Sequence, residues 1–278
     1  MIAIKLMGGL GNQMFQYAIG RRISLEQNVP LKLDLSFLSR RDMGPKFTYR
    51  DYDLDIFILT SELDPITSKI LTINQPYFHH APEVIAVASN ILQAGKHILL
   101  EGYWQTPKYF ESFEKQLRDD FVFCNKVQET DKSHILDLLG VIEATDSVMV
   151  NIRRADYLNT NFHGVMGMEY VKQASRLISE KVKNPKYFVF SDDIEWCEAN
   201  IHLPNVTFVN HTYAGKKFEY YMQLMKACKH FIIPNSTFAW WTAWLNNSPE
   251  KIVIAPKKWF NDPSLNTNDL IPSSWIRI

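Results

Sequence analysis

Residues 147–156 read SVMVNIRRAD, an apolar and β-branched run that leads directly into two adjacent arginines and an aspartate. Such a run predicts a buried strand of a parallel sheet. In open α/β sheets, ligands bind outside the carboxyl ends of the strands, where Arg153 and Arg154 would lie. Because a guanidinium matches phosphate oxygens and stays charged at physiological pH, the pair predicts a phosphate-binding turn. Taken alone, the motif is equally compatible with a solvated loop that carries two surface charges.

Short apolar strands alternate with helical patterns on both sides of this stretch, which predicts an α/β fold with doubly wound parallel sheets. In the second half the predicted strands are 148–152, 187–190, 206–209, 230–233 and 251–254, with helical patterns at 168–183, 217–229 and 237–246. The first half begins with a strand at 2–6, a glycine turn, a helix at 13–26 and a strand at 30–35. We therefore predict two domains, 1–135 and 136–278, and an irregular segment at 39–94 that shapes an acceptor pocket.

Composition limits the classes of function. The chain has 278 residues, and its 30 Lys and Arg balance 30 Asp and Glu, so no global basic field is present to recruit nucleic acid. The three cysteines are widely spaced without a C-x-x-C pair, which disfavours a disulfide framework or a zinc site and is typical of a reducing compartment. No signal peptide or apolar stretch of about eighteen residues is evident. A cytoplasmic location is the resulting expectation.

Two further strand ends carry polar residues. Asp192 and Asp193 close one strand and open a helix; one can cap that helix, and the other can accept hydrogen bonds from a nucleobase or ribose. Further along, Asn235, Ser236 and Thr237 precede Phe238 at a helix N-terminus, where free N–H groups and the helix dipole favour an anion. Since these turns and the arginine pair follow strands of one predicted sheet, they should converge as a nucleoside-diphosphate site without a G-K-[ST] phosphate loop.

The N-terminal turn reads GGLGNQMFQYA from Gly8 onward. Its glycines allow close backbone approach to a ligand, and Asn12 is either an N-cap residue or a ligand contact. Gly9 and Gly11 also match the first two glycines of a dinucleotide fingerprint, with Asp34 near the expected ribose-binding acid. Met14 takes the place of the third glycine, which weakens that interpretation.

Two other segments can be interpreted either as ordinary surface turns or as functional sites. Residues 51–55 read DYDLD and contain overlapping D-x-D triplets that a divalent metal could use, although a solvated acidic turn fits the irregular context better. Residues 257–260 read KKWF and suit an anionic membrane surface, although an ordinary surface turn is favoured. We therefore predict no metal site and leave peripheral contact with the inner membrane open.

Four ordered motifs resemble those of the α-1,2-fucosyltransferases of glycosyltransferase family 11. They begin at Gly8, at Leu100 (LEGYWQ), at Ile152 (IRRADY) and at Asn235 (NSTFAWW), and together they span nearly the whole chain. The resemblance implies a GT-B-like fold, with two Rossmann-like domains that face a cleft. It implies an inverting transfer of L-fucose from GDP-fucose to the 2-hydroxyl of a galactose-containing glycan, with no cofactor or required metal. For short bacterial members it also implies surface-polysaccharide synthesis.

The resemblance assigns roles to particular residues. Arg153 matches the arginine that holds the β-phosphate, and Arg154 is its neighbour in an H-x-R-R-x-D motif. Asn151 stands where that motif has histidine and Ala155 where it usually has glycine, so the obvious titratable base is missing.

We therefore expect Arg153 to stabilise the departing GDP, and we expect Asp156 to be either the base or an orienter of Arg154. Asn12 is expected to orient hydroxyls of the acceptor or of fucose. The expected donor-binding residues are Gly11, Gln13, Arg154, Asp192, Asp193, Asn235, Ser236, Thr237 and Phe238.

The predicted domain roles are an acceptor-side domain at 1–135 and a GDP-fucose-binding domain at 136–278. Two rivals remain open. One is a nicotinamide- or flavin-dependent oxidoreductase that uses the N-terminal glycine turn. The other is a non-catalytic module that binds a sugar nucleotide or glycan, for which the aromatic content would serve sugar stacking.

Overall fold

A computed structural model describes residues 1–44, 47–59, 61, 70–76, 79–159 and 162–278. The chain divides into two compact units, and the protein is α/β throughout. Unit 1 consists of Met1–Cys124 and Ser264–Pro272, and unit 2 consists of Asn125–Pro263 and Ser273–Ile278. The strands are β1 (Ile2–Lys5), β2 (Leu31–Asp34), β3 (Leu71–Asn74), β4 (Ile98–Glu101), β5 (Asp146–Ile152), β6 (Pro185–Ser191), β7 (Val206–Val209), β8 (His230–Ile232), β9 (Val253–Ala255) and β10 (Ile276–Arg277). The helices are α1 (Leu10–Gln27), α2 (Pro82–Gln93), α3 (Glu114–Asp120), α4 (Ser133–Ala144), α5 (Met168–Ser179), α6 (Ile194–Asn200), α7 (Glu219–Ala227) and α8 (Thr237–Leu245).

In the described part of unit 1, the strands form a parallel sheet in the order β2-β1-β4-β3. The central strand β1 is buried because Ile2, Ala3 and Ile4 are apolar on both faces of the sheet. Residues 39–94 were predicted to be irregular, and this is wrong for β3 and α2, whereas the described residues from 39 to 59 contain neither a strand nor an α-helix. Strand β3 is an edge strand with mostly exposed side chains, so its sequence lacks a buried-strand pattern.

Unit 2 carries a parallel sheet in the order β10-β9-β8-β5-β6-β7. Predicted strands and helices of the second half all occur, with ends that differ by a few residues. The apolar run that precedes the arginine pair is β5, and Val148, Met149 and Val150 are completely buried between β6 and β8. Trp240, Trp241 and Trp244 are also buried, so these rings pack in the core of unit 2.

The boundary between the units lies at Cys124/Asn125, earlier than the predicted 135/136. Gln223 of α7 fixes the start of unit 2, because its amide donates to the Asn125 carbonyl over 2.8 Å and accepts from the Val127 N–H over 2.9 Å. Helix α4 then packs against α7 and β5. Residues 125–135, which were predicted to belong to the first domain, are therefore part of unit 2.

A return segment, Ser264–Pro272, completes unit 1, and the sequence did not predict it. Asp269 is its main point of attachment. Its carboxylate accepts from the His80 N–H over 3.2 Å and pairs with Lys108, and its carbonyl accepts from the Thr106 hydroxyl over 2.9 Å. A segment near the C-terminal end of the chain is thus tied to the residues just before α2 and to the turn after β4.

Candidate functional site

Arg153, the first residue after β5, is held between two carboxylates. Its Nη1 lies 2.9 Å from Asp192 Oδ2, and its Nη2 donates to Asp156 Oδ2 over 2.9 Å. Burial of the guanidinium lowers its pKa, but the negative charges of Asp192 and Asp156 outweigh this, so the pKa of Arg153 lies above its ordinary value. Arg153 is therefore a permanently charged and oriented donor at the carboxyl end of β5.

Arg154 is fixed through both its backbone and its side chain. Its N–H donates to Asp192 Oδ1 over 2.9 Å, and its Nε donates to Asp193 Oδ2 over 3.2 Å. The guanidinium carbon lies 3.7 Å from the ring centroid of Trp196, a cation–π contact that sequence analysis missed. Asp193 also accepts from the Trp196 N–H over 3.3 Å as the N-cap of α6, which confirms the predicted capping role of one aspartate.

Asp156 was predicted to be either a base or an orienter of Arg154. The ion pair of Asp156 is with Arg153, three residues earlier in the chain, which does not favour the second alternative. With Asp192 and Asp193 included, two arginines meet three carboxylates in this cluster. A phosphate that binds Arg153 would therefore share the five N–H donors of its guanidinium with these carboxylates or displace one of them.

The turn between β8 and α8 lies beside this cluster. Tyr157 donates its hydroxyl hydrogen to the Asn235 carbonyl over 2.9 Å, which links the β5 turn to the β8 turn. Asn235 is buried, and its amide nitrogen donates to the carbonyls of Gly164 and Trp259 over 3.0 and 2.9 Å. Within the described part of the chain its Oδ1 has no hydrogen-bond partner. Asn235 therefore fixes the turn, and a direct contact with a donor remains a prediction.

The other three residues of this motif occupy the start of α8. Ser236 is the N-cap residue, buried, and its side chain makes no capping hydrogen bond. Thr237 and Phe238 form the first helical positions and are partly buried. Backbone N–H groups at a helix N-terminus suit an anion, and the neighbouring arginines point to the same chemistry. The expected convergence of the turns after β5, β6 and β8 is therefore present in unit 2.

His163 belongs to the same neighbourhood and was missed by sequence analysis, because it lies outside any strand-end motif. Its ring stacks on Tyr157 with centroids 4.4 Å apart and planes at 9°. Burial lowers the pKa of His163, with a smaller opposing effect of the Asp156 charge. Asn151, which replaces the histidine of the motif, is 9% exposed and donates to the Phe190 carbonyl over 3.0 Å, so it braces two strands.

The N-terminal turn lies in unit 1. Helix α1 begins at Leu10 with Gly9 as its N-cap, so the proposed capping role of Asn12 is wrong. Asn12 and Gly11 lie in the first turn of the helix, and Asn12 Oδ1 accepts from Gln105 Nε2 over 2.9 Å. The motif that begins at Gly8 therefore touches the motif that begins at Leu100.

Gln13 is completely buried, and its amide is used by the protein itself. Its nitrogen donates to the carbonyls of Gly8 and Asp51 over 2.9 and 2.8 Å, and its oxygen accepts from the Asp53 N–H over 3.0 Å. This side chain fastens the segment 51–53 to α1, a role that does not favour the predicted direct contact with a donor. The Asp51 carboxylate pairs with Arg41 over 2.6 Å, and no group of three or more metal-binding side chains occurs among the residues that were described.

The segment at 257–260 does not present its aromatic residues to a membrane surface. Trp259 is 2% exposed and Phe260 is 5% exposed, so both rings belong to the interior of unit 2. Across the described ranges, no helix has the length and apolar character needed to cross a bilayer.

The model of glycosyl transferase family 11 matches residues 1–278. The chain belongs to this family. Membership of glycosyltransferase family 11 does not support the alternative prediction of a nicotinamide- or flavin-dependent oxidoreductase. Among its relatives, an α-1,2-colitosyltransferase of Escherichia coli is 33% identical to this chain, over 100% of this chain and 98% of the relative. The O-antigen biosynthesis glycosyltransferase WbnK of Escherichia coli is 30% identical, over 98% of this chain and 99% of the relative.

A more distant relative is human galactoside α-(1,2)-fucosyltransferase 1, which is 28% identical over 52% of this chain and 42% of the human protein. Solved structures extend the likeness to the fold. The fucosyltransferase NodZ from Bradyrhizobium matches with a TM-score of 0.53 at 13% identity, over 87% of this chain and 92% of that one. POFUT1 in complex with GDP-fucose matches with a TM-score of 0.54 at 11% identity, over 91% and 97%. The family 11 chain thus has the GT-B-like α/β fold expected from its motifs.

Proposed function

We propose that this family 11 glycosyltransferase transfers L-fucose from GDP-fucose to the 2-hydroxyl of a galactose-containing glycan, with inversion at the anomeric carbon and in surface-polysaccharide synthesis. The observation that carries the proposal is the cluster at the carboxyl edge of the unit 2 sheet. There the Arg153 guanidinium lies over the ring of Tyr157, with its central carbon 5.7 Å from the ring centroid, and the Tyr157 hydroxyl donates to the Asn235 carbonyl just before the N-terminus of α8. The similarity to human galactoside α-(1,2)-fucosyltransferase 1 supports the α-1,2 linkage to galactose, and the similarity of fold to POFUT1 in complex with GDP-fucose supports the donor.

The chemistry of the leaving group explains this arrangement. As the acceptor hydroxyl attacks the anomeric carbon, the bond to GDP breaks and negative charge develops on the β-phosphate. Arg153 can follow that charge by exchanging a carboxylate contact for phosphate oxygens. The helix N-terminus adds fixed N–H donors, which need no reorganisation during the reaction. Asp156 is within reach of this centre and remains a candidate for the base.

A second donor is favoured by one specific observation, the 33% identity to the α-1,2-colitosyltransferase over the whole chain. Colitose lacks the 3-hydroxyl of fucose but has the same configuration at the other ring carbons. The nucleotide contacts would be the same for both donors, so the cluster around Arg153 does not distinguish them. The distinction must come from contacts to the sugar ring.

The test is a GDP-release assay with purified protein, a galactoside acceptor and either GDP-fucose or GDP-colitose, with EDTA present and without added metal. We expect acceptor-dependent release of GDP and, by NMR of the product, an α-1,2 linkage. The donor with the higher kcat/KM identifies the sugar. GDP-mannose is a matched control with the same nucleotide. Binding of donor without any turnover would support the non-catalytic alternative, and restoration of activity only by a divalent cation would contradict metal independence.

A further inference from the structure

Phe218 is an exposed aromatic residue in a conformation that its residue type rarely adopts. It lies between β7 and α7, its side chain is 43% exposed, and its backbone has φ 62° and ψ 19°. The left-handed region is disfavoured for a bulky residue, and glycine or asparagine is usual there. Strain of this kind persists only where the surrounding structure enforces it, and it concentrates at functional sites.

The loop that carries Phe218 is firmly held from within unit 2. The buried carboxylate of Glu219 accepts from the N–H groups of Lys216 and Lys217 over 3.2 and 2.8 Å. The N–H groups of Tyr220 and Tyr221 both donate to the Ala214 carbonyl, over 3.1 and 3.2 Å. The exposed ring is therefore presented by an ordered loop, and little conformational entropy would be lost when a ligand contacts it.

The ring lies at the same edge of the sheet as the arginine pair. Its centroid is 5.4 Å from that of His211, at a steep angle of 83°. The His211 Nε2 lies 2.9 Å from the carbonyl oxygen of Ser191, the last residue of β6. The next residue is Asp192, which pairs with Arg153. Phe218 is thus connected to the proposed phosphate site through His211 and through the chain from Ser191 to Asp192.

The order of the strands gives the direction of a bound nucleotide. Arg153 directly follows β5 and Asp192 directly follows β6, and Phe218 lies in the connection from β7 to α7; these three strands are consecutive in the sheet. Neighbouring strands lie about 4.8 Å apart, so the distance from β5 to β7 is about 10 Å. An extended nucleoside diphosphate has a comparable reach from its terminal phosphate to its base.

We propose that Phe218 is the stacking surface for the nucleobase of the donor nucleotide. This inference rests on the proposed function, because it takes the diphosphate to bind at Arg153. An aromatic face binds the flat base through stacking, and the two lysines before it add positive charge near the nucleotide. The loop that follows β7 therefore extends the donor site beyond the residues that the sequence motifs identified.

The test is calorimetric titration of the natural protein with GDP, compared with Phe218→Ala and Phe218→Trp. Loss of a stacked ring should weaken GDP binding about 5- to 100-fold, and tryptophan should retain it. Inorganic pyrophosphate should compete equally well in all three proteins, because it has no base. Equal GDP affinity in the natural and alanine proteins would overturn the stacking role alone. Absence of GDP binding by the natural protein would overturn the proposed function as well.

Phe218→Gly separates binding from backbone strain. Glycine adopts the left-handed conformation without penalty, so this variant should unfold at a higher temperature than Phe218→Ala while it binds GDP equally weakly. A glycine variant that keeps the natural GDP affinity would contradict the proposal. Val141→Ala is a matched control, since Val141 is an exposed apolar residue on α4 of the same unit and should change neither property.

Discussion

Arg153 and Asp192 face each other from the ends of two neighbouring strands, with Nη1 of the arginine 2.9 Å from Oδ2 of the aspartate. The other oxygen of Asp192 accepts from the backbone N–H of Arg154. The Asp192 carboxylate therefore orients both arginines: it contacts the side chain of Arg153 and the backbone N–H of Arg154.

Arg153→Ala should lower turnover by about two to three orders of magnitude, because about 3 to 4 kcal/mol of stabilisation of the departing diphosphate would be lost. Steady-state kinetics with GDP-fucose and a galactoside give kcat and KM. Arg153→Lys is the matched control, which keeps the charge but loses the fork of donors and should recover only part of the rate. Near-normal turnover in the alanine variant would contradict the assigned role.

Asp156→Asn separates the two roles that remain for this carboxylate. If Asp156 serves only as the ion-pair partner of Arg153, turnover should fall less than tenfold. GDP should then bind somewhat more tightly, because a charge that competes with phosphate has been removed. We expect both of these results. Calorimetry measures the affinity for GDP, and a pH–rate profile measures the turnover. A loss of a hundredfold or more, together with loss of the acidic limb of the profile, would instead identify Asp156 as the base.

Gly8→Ala should destabilise unit 1. Gly8 has φ 73°, a region that alanine disfavours, and a Cβ there would overlap the side chain of Asn12. We expect a loss of about 1 to 3 kcal/mol in the free energy of unfolding, measured by urea denaturation. Gly140→Ala is the matched control, because Gly140 lies inside α4 with open space around its Cβ position. That change should leave stability unchanged or raise it by up to about 1 kcal/mol.

Stability should fall as the pH decreases below about 6.5, the ordinary pKa of histidine. Burial lowers the pKa of His230, His163 and His80 in the folded protein, so the unfolded chain binds more protons in this range. The stabilising contribution is complete above the unfolded pKa and is lost as the pH falls toward the folded values. His230 Nδ1 also accepts from the Ile252 N–H over 3.2 Å, a bond that protonation of this nitrogen would break.

Urea midpoints at pH 7.5 and pH 5.5 measure this effect. His230→Asn should make the difference between the two midpoints smaller, since one of the responsible groups is removed. His202→Asn is the control because His202 is exposed, and it should leave the difference unchanged. A pH dependence that is identical in the natural and His230→Asn proteins would contradict the role of His230.

Much of unit 2 could be predicted from sequence because its strands are buried on both faces and read as continuous apolar runs, as in β5. The polar turns after β5, β6 and β8 could be placed together because parallel strands share one carboxyl edge. Partners within the cluster could not be predicted. The sequence does not show which of the two arginines pairs with Asp156, or that the Gln13 amide forms hydrogen bonds with the segment 51–53.

Unit 1 was less predictable. Edge strand β3 buries little of its surface, so its residues carry no clear period. The boundary was predicted too late in the chain because the contact of Gln223 with Val127 joins residues 96 positions apart, which local sequence does not show. Phe218 shows the same limit at a single residue. Its type and position are visible in the sequence, but its left-handed backbone and its exposure are not, because they arise in a loop whose hydrogen bonds join Glu219 to Lys216 and Lys217.

The return segment Ser264–Pro272 has a consequence for biosynthesis. Proteins made on the ribosome commonly fold their N-terminal domain first, while the rest of the chain is still being added. Here Asp269 is translated only after all of Asn125–Pro263, so its contacts with Thr106, His80 and Lys108 cannot form before then. Residues 1–124 are therefore synthesised before the last segment of unit 1. Unit 1 can complete its folding only after most of unit 2 has been synthesised.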